Sequence, residues 1–147
     1  MDLYQHLQSA QKSLYRFETL QDYNVGDDGL NDKCMKDWWD FIALKTRDGV
    51  KMERIRLIIE PLTEYTKREL ILHAKSKTFG DDIRTISEET FNKLSIKLAD
   101  FWLIDEKLVL IMKYSENGEY FGFDIMENEV EKYLDIKNTL IKNSNPL

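Results

Sequence analysis

A chain of 147 residues has the length of one domain and hardly of two. Its 42% hydrophobic residues, two prolines, six glycines and lack of any apolar run near the ~20 residues of a membrane helix exclude collagen-like, low-complexity, disordered and helical membrane-spanning classes. Twenty-seven acidic against twenty-one basic residues give a net charge of −6, which disfavours direct nucleic-acid binding, and the single cysteine, Cys34, forbids an internal disulfide and a multi-thiolate zinc site.

The opening segment MDLYQHLQSAQKS has an acid at Asp2, no basic stretch and no apolar core, so it does not read as a secretory signal, and a cytoplasmic protein is expected. Leu3, Leu7, Ala10 and Leu14 fall on one helical face. Leu14 to Thr19 also has the composition of a first strand. Met35, Trp38, Trp39 and Ile42 repeat the helical spacing in a segment that stops near Gly49, and Cys34 beside them is expected to be a small buried hydrophobe.

Val50 to Glu60, rich in β-branched and long apolar residues, predicts a central strand that Pro61 ends. Thr63 to Lys77 predicts a helix with Glu64/Arg68 and Glu69/His73 at i, i+4, and Asp82 to Ile86 a short strand. A short helix around Glu88 to Leu94 precedes three strands, Asp100 to Asp105, Lys107 to Tyr114 and Tyr120 to Met126. Asn117-Gly118 suits a type I′ turn between the last two. Glu129 to Lys142 predicts a closing helix. Together these give a single α/β domain over residues 1–147, a mixed sheet with a C-terminal β-meander and helices packed on it.

Alternation along the strand puts Arg54 and Arg56 on one face, about 6 to 7 Å apart. They either clasp a phosphate or carboxylate or pair with acids such as Glu60 and Glu69. Glu69 lies between Tyr65 and Leu72 on the next helix, so it is either half of an ion pair or a general acid or base with a shifted pKa. A ligand site is expected outside the carboxyl end of this strand, lined by Arg56, Glu60, Tyr65 and Glu69, with Arg84 entering from the neighbouring strand. Arg54 and Asp105 complete the candidate set. Asp100, Asp105 and Asp124 come from adjacent strand segments, but Asp105-Glu106-Lys107 reads as a hairpin turn, so no metal site or cofactor is assigned.

The order and spacing of several segments resemble a family of small uncharacterised bacterial proteins whose genes often lie beside helix-turn-helix regulators. These are Tyr15 to Leu20 with Tyr23, Gly49-Val50, Arg54 to Arg56, Glu60 to Tyr65, Glu69-Leu70, Gly80 to Arg84, Asp100 to Glu106, Gly118 to Gly122 and Pro146-Leu147. The resemblance implies a domain of unknown function, with no activity attached. A fainter resemblance is to half of a phospholipase D-like domain, in a register that puts Leu98 and Asp100 where the catalytic His and Lys would stand. His73-Ala-Lys75 also lacks that superfamily's Asp, because Gly80 holds the position. The expected function is therefore a non-catalytic binding or regulatory module, acting through a protein partner such as a DNA-binding regulator, or through a small anionic ligand. The alternative is a phosphodiesterase- or nuclease-like enzyme. A homodimer is expected, covered by aromatics such as Trp38, Trp39, Phe121 and Phe123.

Overall fold

The computed structural model describes residues 1–25 and 30–147. In chain order it runs α1 (Leu3–Gln8), β1 (Ser13–Glu18), α2 (Asp32–Arg47), β2 (Lys51–Ile58), α3 (Glu64–Lys77) and β3 (Asp81–Ser87). There follow α4 (Glu88–Asn92), β4 (Phe101–Ile104), β5 (Leu108–Tyr114), β6 (Tyr120–Ile125), α5 (Val130–Lys142) and β7 (Asn145–Pro146). The strands form one mixed sheet of order β6-β5-β4-β1-β2-β3-β7, parallel across β1, β2 and β3 and antiparallel elsewhere.

The crossovers through α2 and α3 step the same way along the sheet, and shared handedness puts both helices on one face. There Trp39, Phe41 and Ile42 of α2 and Leu72 of α3 pack on Leu14, Met52, Trp102 and Ile104. The opposite face carries α4 and α5, where Phe91 and Leu140 cover Tyr15, Phe17, Ile55 and Leu57. All four residues of β4 are buried, as a strand apolar on both faces requires.

Gly80, at φ +120°, closes the α3–β3 connection, where any Cβ would lie 2.2 Å from the Thr46 hydroxyl oxygen. Side-chain caps start the first helices: Asp2 accepts from the Gln5 N–H, Asn31 from Cys34 and Thr63 from Thr66.

Three expectations need correction. Leu14 belongs to β1, and α1 ends six residues earlier at Gln8, so the shared apolar stripe was two elements folded onto one core. Cys34 is exposed on the first turn of α2, where its Sγ meets Asn31. The left-handed pair of a type I′ turn is Asp105-Glu106, at φ 55° and 56°, rather than Asn117-Gly118. Asp105 tolerates that backbone because its carboxylate accepts the N–H groups of Gln11, Lys12 and Ser13 at 3.0, 2.7 and 3.0 Å. At the other hairpin only Gly118 is left-handed, and its N–H donates to the Ser115 carbonyl at 2.9 Å. The three aspartates of the neighbouring strand segments have separate surroundings. Asp100 is buried against Arg16, Asp105 sits in its turn and Asp124 lies exposed near Lys113.

Candidate functional site

On the α2/α3 face the sheet carries charged residues where apolar ones would be ordinary. Register puts Arg16 beside Arg54 and Glu18 beside Arg56, with Trp102 beside Arg16 on the other side. Arg16, Glu18, Arg54, Arg56, Glu69, His73, Asp81 and Asp100 are all at least nine-tenths buried, and Arg56 is fully so. Charge is costly to bury alone, so each finds a partner.

Arg16 Nη2 donates to Asp100 Oδ2 at 3.0 Å and to the Tyr114 hydroxyl at 2.9 Å, while Asp100 also accepts from Thr19 and Tyr23. Arg54 Nη1 donates to Glu18 Oε1 at 2.5 Å, and its Nε lies 3.7 Å from Asp81. Arg56 Nε lies 2.6 Å from Glu69 Oε1, and its Nη2 reaches the Thr66 hydroxyl at 3.3 Å. His73 joins the two pairs, with Nε2 3.3 Å from Glu18 Oε1 and 3.4 Å from Glu69 Oε1.

Aromatic faces cover what hydrogen bonds leave open. Arg16 Nη1, Arg54 Nε and Arg56 Nη1 have no hydrogen-bond partner. The Arg54 guanidinium lies 5.7 Å from the Trp38 ring and 5.5 Å from that of Trp102, Arg16 5.4 Å from Trp102, and Arg56 5.5 Å from Tyr23.

Protonation follows from these contacts. Burial pulls the His73 imidazolium down, but Glu18 and Glu69 on Nε2 outweigh it and push its pKa up to about 9. Burial raises the Glu18 carboxyl, yet Arg54, then His73 and Arg56, hold it well below the usual range. Asp81 is raised, because burial outweighs Arg54. With His73 protonated the cluster holds four cations and four carboxylates.

A folded-state pKa above the unfolded value gives stability that is full below pH 6.5 and is lost as pH rises through about 9. Urea denaturation in EDTA is expected to show a loss of about 3 kcal/mol over that interval in the wild type and little in His73→Gln. Equal slopes in the two proteins would show that His73 carries no such proton.

A cavity of about 260 Å³ opens on this cluster beside the carboxyl end of β1. Its floor is Glu18, Arg54, Glu69 and His73, and its walls include Trp38, Trp102, Tyr65 and Leu72. A groove of about 680 Å³ between α1 and α2 is larger, but none of its lining residues, Tyr4, Asp37 and Leu44 among them, is a buried charge.

Of the residues expected from sequence, Arg54, Tyr65 and Glu69 meet at this cavity, and Arg56 lies beneath it, sealed from solvent. The other three lie elsewhere. Glu60 is exposed beyond β2, at a cis bond to Pro61. Arg84 is in register with Ile55, so it points to the α4/α5 face, where it bonds Ser144. Asp105 sits at the amino-terminal end of β1. His73 and Lys75 do not act together, because Lys75 pairs with Asp32 and covers Trp39 from outside.

Sequence reasoning missed Glu18, His73 and Arg16 as members of the site. The available signal was Arg16 and Glu18 alternating with Tyr15 and Phe17, which marks a strand with charge on one buried face.

Fold and cavity together define an α/β domain with a pocket at the carboxyl end of its parallel strands, over a buried, charge-balanced floor. The chain belongs to the family described as a domain of unknown function (DUF6879), which matches residues 1–147 and bears out the domain of unknown function that its motifs implied. No curated protein matches it. Among the described residues no helix is long and apolar enough to cross a membrane.

Proposed function

We propose that the domain is a non-catalytic binding module that takes a small anionic ligand in the cavity under Trp38 and Trp102 and acts through a protein partner. The observation that carries this reading is the floor. Its carboxylates are each engaged by an arginine, at 2.5 Å for Glu18 and 2.6 Å for Glu69, and His73 holds its proton between them. A general base acts best with a lone pair free of fixed cations, whereas both carboxylates here are committed to arginines and to His73. The walls are aromatic and aliphatic, while Arg54 and His73 supply cations at the base, so an apolar body with one acidic head suits the space.

A thermal-shift panel of benzoate, hexanoate, inorganic phosphate and adenosine monophosphate, run with and without added Zn²⁺, tests this. At 100 times its dissociation constant a ligand adds about 2.7 kcal/mol, which for a chain of this length raises Tm by about 5–10 °C. Benzoate or hexanoate is expected to do so in the wild type and not in Trp38→Ala. No shift with any member under either condition would contradict the reading.

A further inference from the structure

We infer that Glu18, Glu69 and His73 form a binding site for a divalent transition metal, with Zn²⁺ the best fit, whose remaining coordination position opens into the cavity. Among the described residues these three bring one carboxylate oxygen each and an imidazole nitrogen within 4.8 Å of one another, all on buried side chains. The distances are informative. His73 Nε2, on a side chain nine-tenths buried, is aimed between the two carboxylates and has no hydrogen-bond partner. Its 3.3 and 3.4 Å separations exceed the roughly 2.7–2.9 Å of a charge-assisted hydrogen bond. They match the edge of a tetrahedron with metal–ligand bonds of about 2.1 Å, which is about 3.4 Å.

The surroundings suit an ion held this way. Arg54 and Arg56 grip the same two carboxylate oxygens from behind, the kind of outer contact that orients ligating carboxylates. Glu18 and Arg54 come from adjacent paired strands and Glu69 and His73 from one helix turn, so the donors sit on rigid elements. The same three residues line the 260 Å³ cavity, so a water or an anionic ligand at the fourth position would come from that side. Ligation uses the Nε2 lone pair, so any proton carried there leaves to solvent as the ion binds.

The inference stands apart from the ligand reading, since the metal can bind with no ligand present. Co²⁺ is titrated into chelator-treated protein at pH 8 and followed by calorimetry and visible absorption, then displaced with Zn²⁺. One equivalent is expected to bind with the intense absorption of four-coordinate Co²⁺. His73→Gln is expected to weaken binding at least 100-fold and Glu69→Asp, which withdraws one ligand but keeps its charge, at least tenfold. His6→Gln, which changes the other histidine, should bind as the wild type does. Failure to bind, a pale six-coordinate spectrum, or unchanged affinity in either site variant would overturn the proposal. Should His73→Gln not fold, the spectrum of the wild type and the affinity of Glu69→Asp still decide it. Metal binding without a thermal shift from any member of that panel would sink the ligand reading alone, and the converse would sink this one alone.

Discussion

Arg56→Met is expected to lower the free energy of unfolding by about 3–5 kcal/mol at pH 7, because it strips a buried carboxylate of its cation. Arg56 is fully buried, sits 2.6 Å from Glu69 and reaches Thr66, whose hydroxyl donates to the Gln21 carbonyl at 2.8 Å. Methionine fills much of the same space, so the loss reports charge rather than volume. Glu69→Gln should fall in the same direction, leaving the arginine unpaired. The double variant Arg56→Met/Glu69→Leu should recover most of the loss, since replacing a whole buried pair by apolar residues is often neutral. Urea midpoints at constant m-value measure all three. A loss below ~1 kcal/mol in Arg56→Met would mean that water reaches Glu69 in the native state.

Trp102→Ala is expected to cost about 3–5 kcal/mol through the cavity it leaves. Trp102 is 7% exposed, meets Trp38 edge-on at 5.9 Å and presents its face to both Arg16 and Arg54. Removing it uncovers two buried guanidiniums as well as opening the core, whereas Trp38→Ala, at a half-buried position on the wall, should cost less. The same urea melts decide it. Equal losses in the two variants would contradict the packing described for β4.

Much of the fold was legible because its signals are local. The apolar run Val50 to Glu60, the helical spacing of Met35 to Ile42 and the helix from Thr63 each give their element within a few residues. The errors lie where a tertiary contact overrides the local preference. Asn117-Gly118 is the stronger type I′ sequence, but that turn falls at Asp105-Glu106, where three backbone N–H groups from a segment some ninety residues away hold the carboxylate. Glycine at 118 is needed for another reason, since a Cβ there would lie 2.7 Å from the Asp22 carbonyl oxygen.

The candidate site was half legible. Arg54, Arg56 and Glu69 could be placed by strand and helix periodicity alone. The partners of Arg54, Glu18 and Asp81, and the neighbouring Arg16–Asp100 pair could not, because which carboxylate meets which arginine depends on the lateral order of β4, β1, β2 and β3. Arg84 was misdirected by one residue of register: it pairs with Ile55 rather than Arg54, and in a sheet that sends the side chain to the other face.

The most direct test of the cavity as a binding site uses the three tryptophans of the chain as reporters. Trp38 and Trp102 line the cavity, whereas the Trp39 indole N–H donates to Ser76 at 2.8 Å inside the core and serves as an internal control. In ¹H–¹⁵N spectra of the Zn²⁺-treated protein, added benzoate is expected to shift the indole signals of Trp38 and Trp102 together, saturably, and to leave that of Trp39 in place. Three unmoved signals at saturating benzoate, or a Trp39 shift as large as the others, would contradict the assignment of this cavity as the ligand site.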